Sequence, residues 1–462
     1  MKKDRFKDYD DEVRDLVLDF ERTVMKGQTQ FFDVDELEMI IDYYLEVDDR
    51  KPLEKAVSFA EYLYPNSTEV KIRRAHVAIA NHQYQTALSQ LLALHAKEPD
   101  NTDLAYSLGV VYSAMDRPDD AVAQFLAASS DGWQLGRIYG NIAEEYVKKN
   151  DLATALKYYE AALRNEDNDS SSLYNYVDTC ERTGTVANGV TVLEEYVKAH
   201  PYSREGWFCL GLLYIDLYND SKAIDAFEYA LAIDSSSVET YSELAFAYEL
   251  AGDTGRAAST LLQMAEKTGH RVEAYRSIGS LYSGNGNYKA AEIYLQKALL
   301  EAPEDTLTLV AMADNCLRQG DCSLALTFLH KAKNAGENSA EYHHVAAKVY
   351  DMMDNIEMAN DHYESLIETG SYNENQCRDY VEFLFRRRMF EIMIPFCEES
   401  LDYFPQDSFY NTYLAAAYFY TNRYNSARRA LQYAVPSQLN QLCPEIMTHP
   451  LLGPFVPKEN DN

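Results

Sequence analysis

Apolar side chains return along this chain at a fixed interval. Steps of 34 residues from Ile41 land on Ala75, Gly109, Ala143, Val177, Gly211, Ala245, Gly279, Ala313, Ala347, Val381 and Ala415, all apolar and most of them small. Each interval carries two stripes at helical spacing. Between Arg204 and Ala232, Trp207, Leu210, Gly211 and Tyr214 form one set, and Ala223, Phe227 and Ala230 form another. Residues three and four apart share a helix face, so the spacing predicts two amphipathic helices joined by the polar turn Tyr218–Asn219–Asp220. Gly211 and Ala223 let those helices approach closely, and Trp207, Tyr214 and Phe227 fill the space around the contact. Such a period marks stacked repeats that bury their apolar faces only against neighbours.

The order of a large residue, leucine–glycine, tyrosine, alanine, an aromatic and alanine resembles the tetratricopeptide repeat, from about Val34 to Gln441. Tyrosine holds the eleventh position at Tyr44, Tyr112, Tyr146, Tyr214, Tyr248, Tyr282, Tyr350 and Tyr418. Alanine holds the twentieth at Ala87, Ala121, Ala155, Ala223, Ala257, Ala291, Ala325, Ala359 and Ala427, and Pro99, Pro201, Pro303 and Pro405 close repeats where a helix must stop. The resemblance implies an all-α fold: a right-handed α-solenoid superhelix of about twelve helix-turn-helix repeats. Three repeats depart from the pattern. In the first, Leu53 takes the alanine position and Ala56 suggests a longer turn around Lys51–Pro52. The second places Lys71 and Arg74 at apolar positions, and the eleventh carries Val381, Leu384 and Met393.

Exposed terminal repeats require caps. Residues 1–33 are read as an N-terminal capping helix, with Val13, Leu16, Val17, Phe20 and Val24 on one stripe ending near Gly27. Residues 34–441 form the repeats, and residues 442–462 a C-terminal cap and frayed tail, in which Leu442 and Ile446 join Leu439 over the last repeat.

The net charge of −32 disfavours a phosphate backbone as partner and leaves two readings: a solvated acidic surface, or an acidic groove for a basic protein or peptide. Seven cysteines without C-x-x-C spacing include Cys180, Cys316 and Cys397 at core positions, which reads as buried thiols in a reducing compartment. The N-terminal lysines precede no apolar run, and nothing reaches the length of a membrane span, so the expectation is a cytoplasmic protein.

Local chemistry is sparse. Gly284-Asn285-Gly286-Asn287 lacks the lysine and hydroxyl residue of a phosphate loop and falls between two helices, where a turn is expected. His343, His344 and His362 have no accompanying ligand set, so they read as packed or surface histidines and not as a metal site. No nucleophile–base–acid set stands out, and Arg386-Arg387-Arg388 is the sole basic cluster. Neither terminal segment is long enough for a catalytic domain. The expectations are no enzyme activity, no cofactor, no metal, no nucleic acid and no membrane insertion.

The resemblance implies that the second, fifth, ninth, twelfth and thirteenth positions of each first helix face a ligand. Those positions give Asp35, Glu38, Asp42, Tyr106, Tyr174, Asp178, Glu181, Phe208, Glu239, Phe246 and Glu249 as a candidate groove. A second, more basic patch comprises Arg276, Arg318, Lys348, Arg378 and Arg386. No lysine–asparagine pair suited to clamping a C-terminal carboxylate occupies the fifth and ninth positions. Only Asn141 and Asn175 match the asparagine ladder of the O-linked N-acetylglucosamine transferase superhelix. A non-catalytic interaction scaffold follows, with a self-assembling structural protein and a regulatory subunit of an enzyme complex as alternatives.

Overall fold

The computed structural model describes residues 11–26, 31–132, 134–165, 170–403 and 405–457, and divides into two bodies, Met1–Ala251 and Gly252–Asn462. In the first, α1 (Asp11–Lys26) precedes α2 (Val34–Glu46) and α3 (Arg50–Leu63), α4 (Thr68–Ala80) and α5 (Tyr84–His95), and α6 (Thr102–Ala114) and α7 (Pro118–Ala128). Next come α8 (Leu135–Lys148) and α9 (Leu152–Leu163), α10 (Ser170–Thr183) and α11 (Val186–Ala199), α12 (Arg204–Asp216) and α13 (Asp220–Ile233), then α14 (Val238–Leu250). The second body begins with α15 (Thr254–Thr268). It continues through α16 (Arg271–Gly284) and α17 (Tyr288–Glu301), α18 (Thr306–Arg318) and α19 (Cys322–Asn334), and α20 (Ala340–Met352) and α21 (Ile356–Glu368). After them lie α22 (Glu374–Arg386) and α23 (Phe390–Tyr403), α24 (Ser408–Tyr420) and α25 (Tyr424–Ala430), α26 (Pro436–Leu442) and α27 (Glu445–Thr448). No strand occurs among the described residues, and the fold is an all-α array of stacked helix pairs.

Local chemistry sets these boundaries. The residue before a first helix is repeatedly Ser, Asn or Asp: the side chains of Ser67, Asn101, Ser203, Ser237, Asp305, Ser339 and Asp407 each accept a hydrogen bond from the backbone N–H three residues on. Each turn between the two helices of a repeat passes through one left-handed residue, at Asp48, His82, Asp116, Asn150, Gly184, Tyr218, Gly252, Gly286, Gly320, Asp354, Arg388 and Asn422. The Gly284–Asn287 stretch is one of these turns, with Gly286 at φ +74° and Asn287 capping α17.

Packing follows a volume rule. Every ruler position in the first helix is buried, and so is the residue sixteen later in the second. Where the first is Gly, as at Gly109 and Gly211, the later residue is Phe125 or Phe227. Where the first is branched, as at Val381, the later one is the small Cys397. At Gly279 the later residue is Leu295, so at each of these glycines a large side chain of the second helix fills the space left by the first.

At the N-terminal end Phe20 meets Phe32, Tyr44 and Phe59 edge-on, with ring centroids 5.9–6.4 Å apart. Val17 is buried with it, while Val13, Leu16 and Val24 pack at the margin. At the C-terminal end Leu439 and Ile446 are buried beside α24 and Leu442 packs against them. Gly27 and the 458–462 tail lie outside the described residues.

The first repeat differs from expectation. No longer turn exists around Lys51–Pro52, because α3 starts in register at Arg50 and Pro52 lies in its first turn, where backbone N–H groups have no helical acceptor. Leu53 and Ala56 are both buried. In the second repeat Arg74 replaces apolar packing with charge, donating to Glu54 at 2.7 Å and to Glu61 at 2.6 Å.

All seven cysteines are free thiols, and only Cys322 is not fully buried. Burial pushes the Cys209 and Cys397 thiols upward, so they pack as apolar groups. No described helix is long and apolar enough to cross a membrane.

Candidate interaction surface

First helices of neighbouring repeats adjoin one another: α2 packs on α4, α10 on α12 and α12 on α14. Their solvent-facing positions therefore merge into shared surfaces, and the candidate residues sort into three kinds.

The first kind is spent inside the molecule. Arg73 of α4 reaches back to Glu38 at 3.1 Å and to Asp42 at 3.0 Å, while Asp35 stays exposed at the start of α2. Desolvation outweighs Arg73 and raises both the Glu38 and Asp42 carboxyls. The Tyr106 hydroxyl accepts from Asn141 at 3.0 Å, and its ring lies against Phe125 and under Arg137. Asn175 donates to Glu144 at 3.1 Å, so both ladder-type asparagines have intramolecular partners.

Phe208 corrects the sequence reading. It is only 2% exposed and sits between Tyr174 and Phe227, at centroid distances of 5.9 and 5.7 Å. The fifth position of α12 turns inward because Gly211 draws Phe227 close and Phe208 completes the same cluster. Tyr174, whose hydroxyl needs a polar neighbour, remains half-buried near Arg204.

The second kind is the basic patch, and ion pairs consume all of it. Arg276 meets Asp305 at 3.2 Å, Arg318 meets Asp314 at 2.6 Å and Lys348 meets Asp379 at 3.1 Å. Arg378 spans Glu374 and Asp407, and Arg386 meets the buried Asp351 at 3.0 Å. His344 Nε2 lies 2.8 Å from Asp379, and that hydrogen bond, with Lys348, holds the Asp379 carboxyl down to about 2. Most of these partners sit one repeat away, as helix-bridging ties and not as an open cationic surface. His343 and His362 form a buried pair with their Nδ1 atoms 3.0 Å apart. Among the described residues no cluster of three or more potential ligands could hold a metal.

The third kind is open. Asp178 and Glu181 on α10, Asp216 at the end of α12, and Glu239, Glu243 and Glu249 on α14 follow one another across the merged surface. Burial raises the Glu181 and Asp216 carboxyls, and Asp216 and Asp178 raise Glu181 further by repulsion. Burial likewise raises Glu243 and Glu249. Arg182 pairs with Asp178 at 3.2 Å, but no salt bridge among the described residues reaches Glu181, Asp216, Glu243 or Glu249. Phe246, 45% exposed, stands among them on α14. The sequence did not mark Glu243, which sits at the sixth position; burial beside Glu239 is what distinguishes it.

Comparison with known proteins places the repeats. A tetratricopeptide repeat family model matches residues 72–133 and 141–204, and a second matches residues 272–305. Tetratricopeptide repeat protein 37 of Xenopus laevis is 23% identical over 273 residues, 56% of this chain and 17% of the frog protein, so the chain corresponds to a small part of that relative's length. The TPR repeat-containing protein YpiA of Bacillus subtilis (strain 168) is 19% identical over 421 residues, 82% of this chain and 90% of the bacillar one. A crystal structure of a tetratricopeptide repeat protein from Parabacteroides merdae ATCC 43184 aligns at TM-score 0.42 and 19% identity, covering 54% of this chain and 98% of that one. Since the family models fall on helices that the 34-residue interval already sets, the chain carries tetratricopeptide repeats over residues 72–133, 141–204 and 272–305.

Proposed function

We propose that the chain is a non-catalytic interaction scaffold whose α10–α12–α14 surface receives a basic segment of a protein partner. The family and the fold are typically non-catalytic and serve protein–protein interaction. The observation that carries the proposal is a succession of carboxyls on α10, α12 and α14, namely Glu181, Asp216, Glu243 and Glu249, which burial raises and which no salt bridge among the described residues reaches. A lysine or arginine side chain set there offsets the repulsion between the carboxylates. Phe246 supplies an apolar contact next to the charge, the composition of a binding anchor. Charge of this kind governs orientation and association rate more than final affinity, and salt weakens it.

The test is fluorescence anisotropy with a labelled arginine-rich peptide as probe. Reversing Glu239 and Glu249 to lysine raises the dissociation constant by about tenfold or more, since each repelled contact is worth on the order of 1 kcal/mol. A control pair, Glu195→Lys and Asp225→Lys on the second helices α11 and α13, changes net charge equally and leaves affinity within about twofold. Equal loss in both variants means that the probe senses only bulk charge, and the assignment of this surface fails. Homotypic assembly and service as a regulatory subunit are the competing roles. A solution mass that does not change with concentration removes the first.

A further inference from the structure

A cavity of about 570 Å³ opens in the second body where the end of α21, the start of α22, the middle of α23 and the cap of α24 converge. Two features adjoin it. The Tyr363 and Tyr380 rings stack 4.9 Å apart between α21 and α22, and the Tyr380 ring meets Phe396, which lines the opening, at 5.3 Å. Pro395 inside α23 removes a backbone donor from that helix just before Phe396 turns toward the opening. The volume is within the range of small-ligand sites, about 300–1,000 Å³.

Its walls have a definite chemistry. Tyr372, Phe396 and Tyr410 supply aromatic surface, and Glu374, Glu399 and Asp407 supply carboxylates; no cation lines the cavity. Arg378, which does not line it, is already committed to Glu374 and Asp407, whereas no salt bridge reaches Glu399 among the described residues. Burial keeps the Tyr410 phenol neutral, pushed up to about 12, and holds the Cys377 thiol up to about 11, so neither is a nucleophile or a thiolate ligand at neutral pH. A bare metal ion needs several converging oxygen or nitrogen donors, and no such group of three exists among the described residues. Aromatic faces beside a carboxylate instead favour a large, weakly hydrated cation.

We propose that this cavity binds an alkylated ammonium group, with its methyl or methylene surface against Tyr372, Phe396 and Tyr410 and its charge toward Glu399. The site is distinct from the acidic surface of α10–α14 and does not depend on it. The group is carried either by a free small molecule or by a modified lysine side chain on a protein.

The test is calorimetric titration of the full chain with choline chloride, with a peptide bearing one trimethyl-lysine, and with 3,3-dimethylbutan-1-ol, the uncharged isostere of choline. Saturable binding of choline, at least about tenfold tighter than the alcohol, is expected. Choline binding as tightly as the peptide assigns the site to a free ligand; the peptide binding much more tightly assigns it to a protein side chain. Glu399→Gln, at an exposed position, weakens either cation by about threefold or more without moving Tm. The proposal is overturned if neither cation binds saturably, if the alcohol binds as well as choline, or if Glu399→Gln leaves cation affinity unchanged.

Discussion

A methyl group placed on Gly211 would lie 2.5 Å from Phe227 Cε1, closer than carbon atoms approach. The same distance separates such a group on Gly109 from Phe125, sixteen residues on. Gly211→Leu therefore costs about 1–3 kcal/mol of stability through overpacking, whereas Glu239→Ala on the exposed face stays within about 0.5 kcal/mol. The compensation is directly testable. Gly211→Ala destabilises alone, and Phe227→Leu, which recreates the Ala75/Leu91 combination, recovers part of the loss in a double-mutant cycle by chemical denaturation. Purely additive losses would mean that the two positions do not share one volume.

Tyr218 occupies the left-handed turn position at φ 54° with 91% of its surface exposed. A left-handed L-residue costs about 1–2 kcal/mol, and glycine's extra chain freedom returns about 0.5–1 kcal/mol of that to the unfolded state. Tyr218→Gly is thus stabilising by up to about 1 kcal/mol. Gly252 takes the equivalent place one repeat later with nothing within 4 Å of an added methyl, so Gly252→Ala loses about 1 kcal/mol through conformation alone. Thermal unfolding of the two variants should shift in opposite directions.

Acid acts on the buried His343–His362 pair. Burial, then the neighbouring His343, lowers His362 to about 4 from 6.5. A histidine whose folded pKa is depressed favours folding while neutral, so its contribution is whole above pH 6.5 and is lost as pH falls toward 4. The carboxyls raised by burial, Glu181, Asp216, Glu243 and Glu249 among them, act oppositely, since protonation relieves their desolvation. The difference between wild type and His362→Gln isolates the histidine: the Tm gap between them should narrow or reverse from pH 7 to pH 4.5. A pH-independent gap would show that His362 is not held neutral.

The regularity of the array was legible because backbone rules repeat with it. Ser, Asn or Asp before most first helices and small side chains at the close approach recur at fixed places, so the interval gave most helix starts; at Leu53 the side-chain departure suggested a longer turn that the register of α3 does not show. Surface assignment was less legible. A position number gives a direction from the helix axis but not the depth of the neighbouring packing, and Phe208 and Tyr174 share a position while only the tyrosine keeps an exposed edge. The basic patch was misleading for a related reason. The partners of Arg276, Lys348 and Arg386 stand 29, 31 and 35 residues away, visible only when charges are compared across one repeat. The cavity beside Pro395 is lined from α21, α22, α23 and α24, elements of three successive repeats, which no single-repeat pattern reports.

The basic run Arg386–Arg388 shows what those long-range pairs do. Asp351 is 8% exposed, and Arg387 donates to its carboxylate at 2.7 and 2.9 Å and to its backbone oxygen at 2.9 Å, while also meeting Asp354 at 2.6 Å. Arg388 lies over the Tyr420 ring at 5.5 Å. The run therefore ties α20 to α22 and the turn after it to α24, and its charge is not on offer to an anionic ligand. Removing Arg387 strips donors from a buried carboxylate, so Arg387→Ala costs about 1–3 kcal/mol even though Arg386 still reaches Asp351. Arg318→Ala breaks only an exposed one-turn pair with Asp314 and costs about 0.5 kcal/mol or less. Denaturation followed by circular dichroism separates the two. Should Arg387→Ala leave stability intact yet abolish capture of an acidic peptide, the run is a docking surface and its pairing with Asp351 incidental.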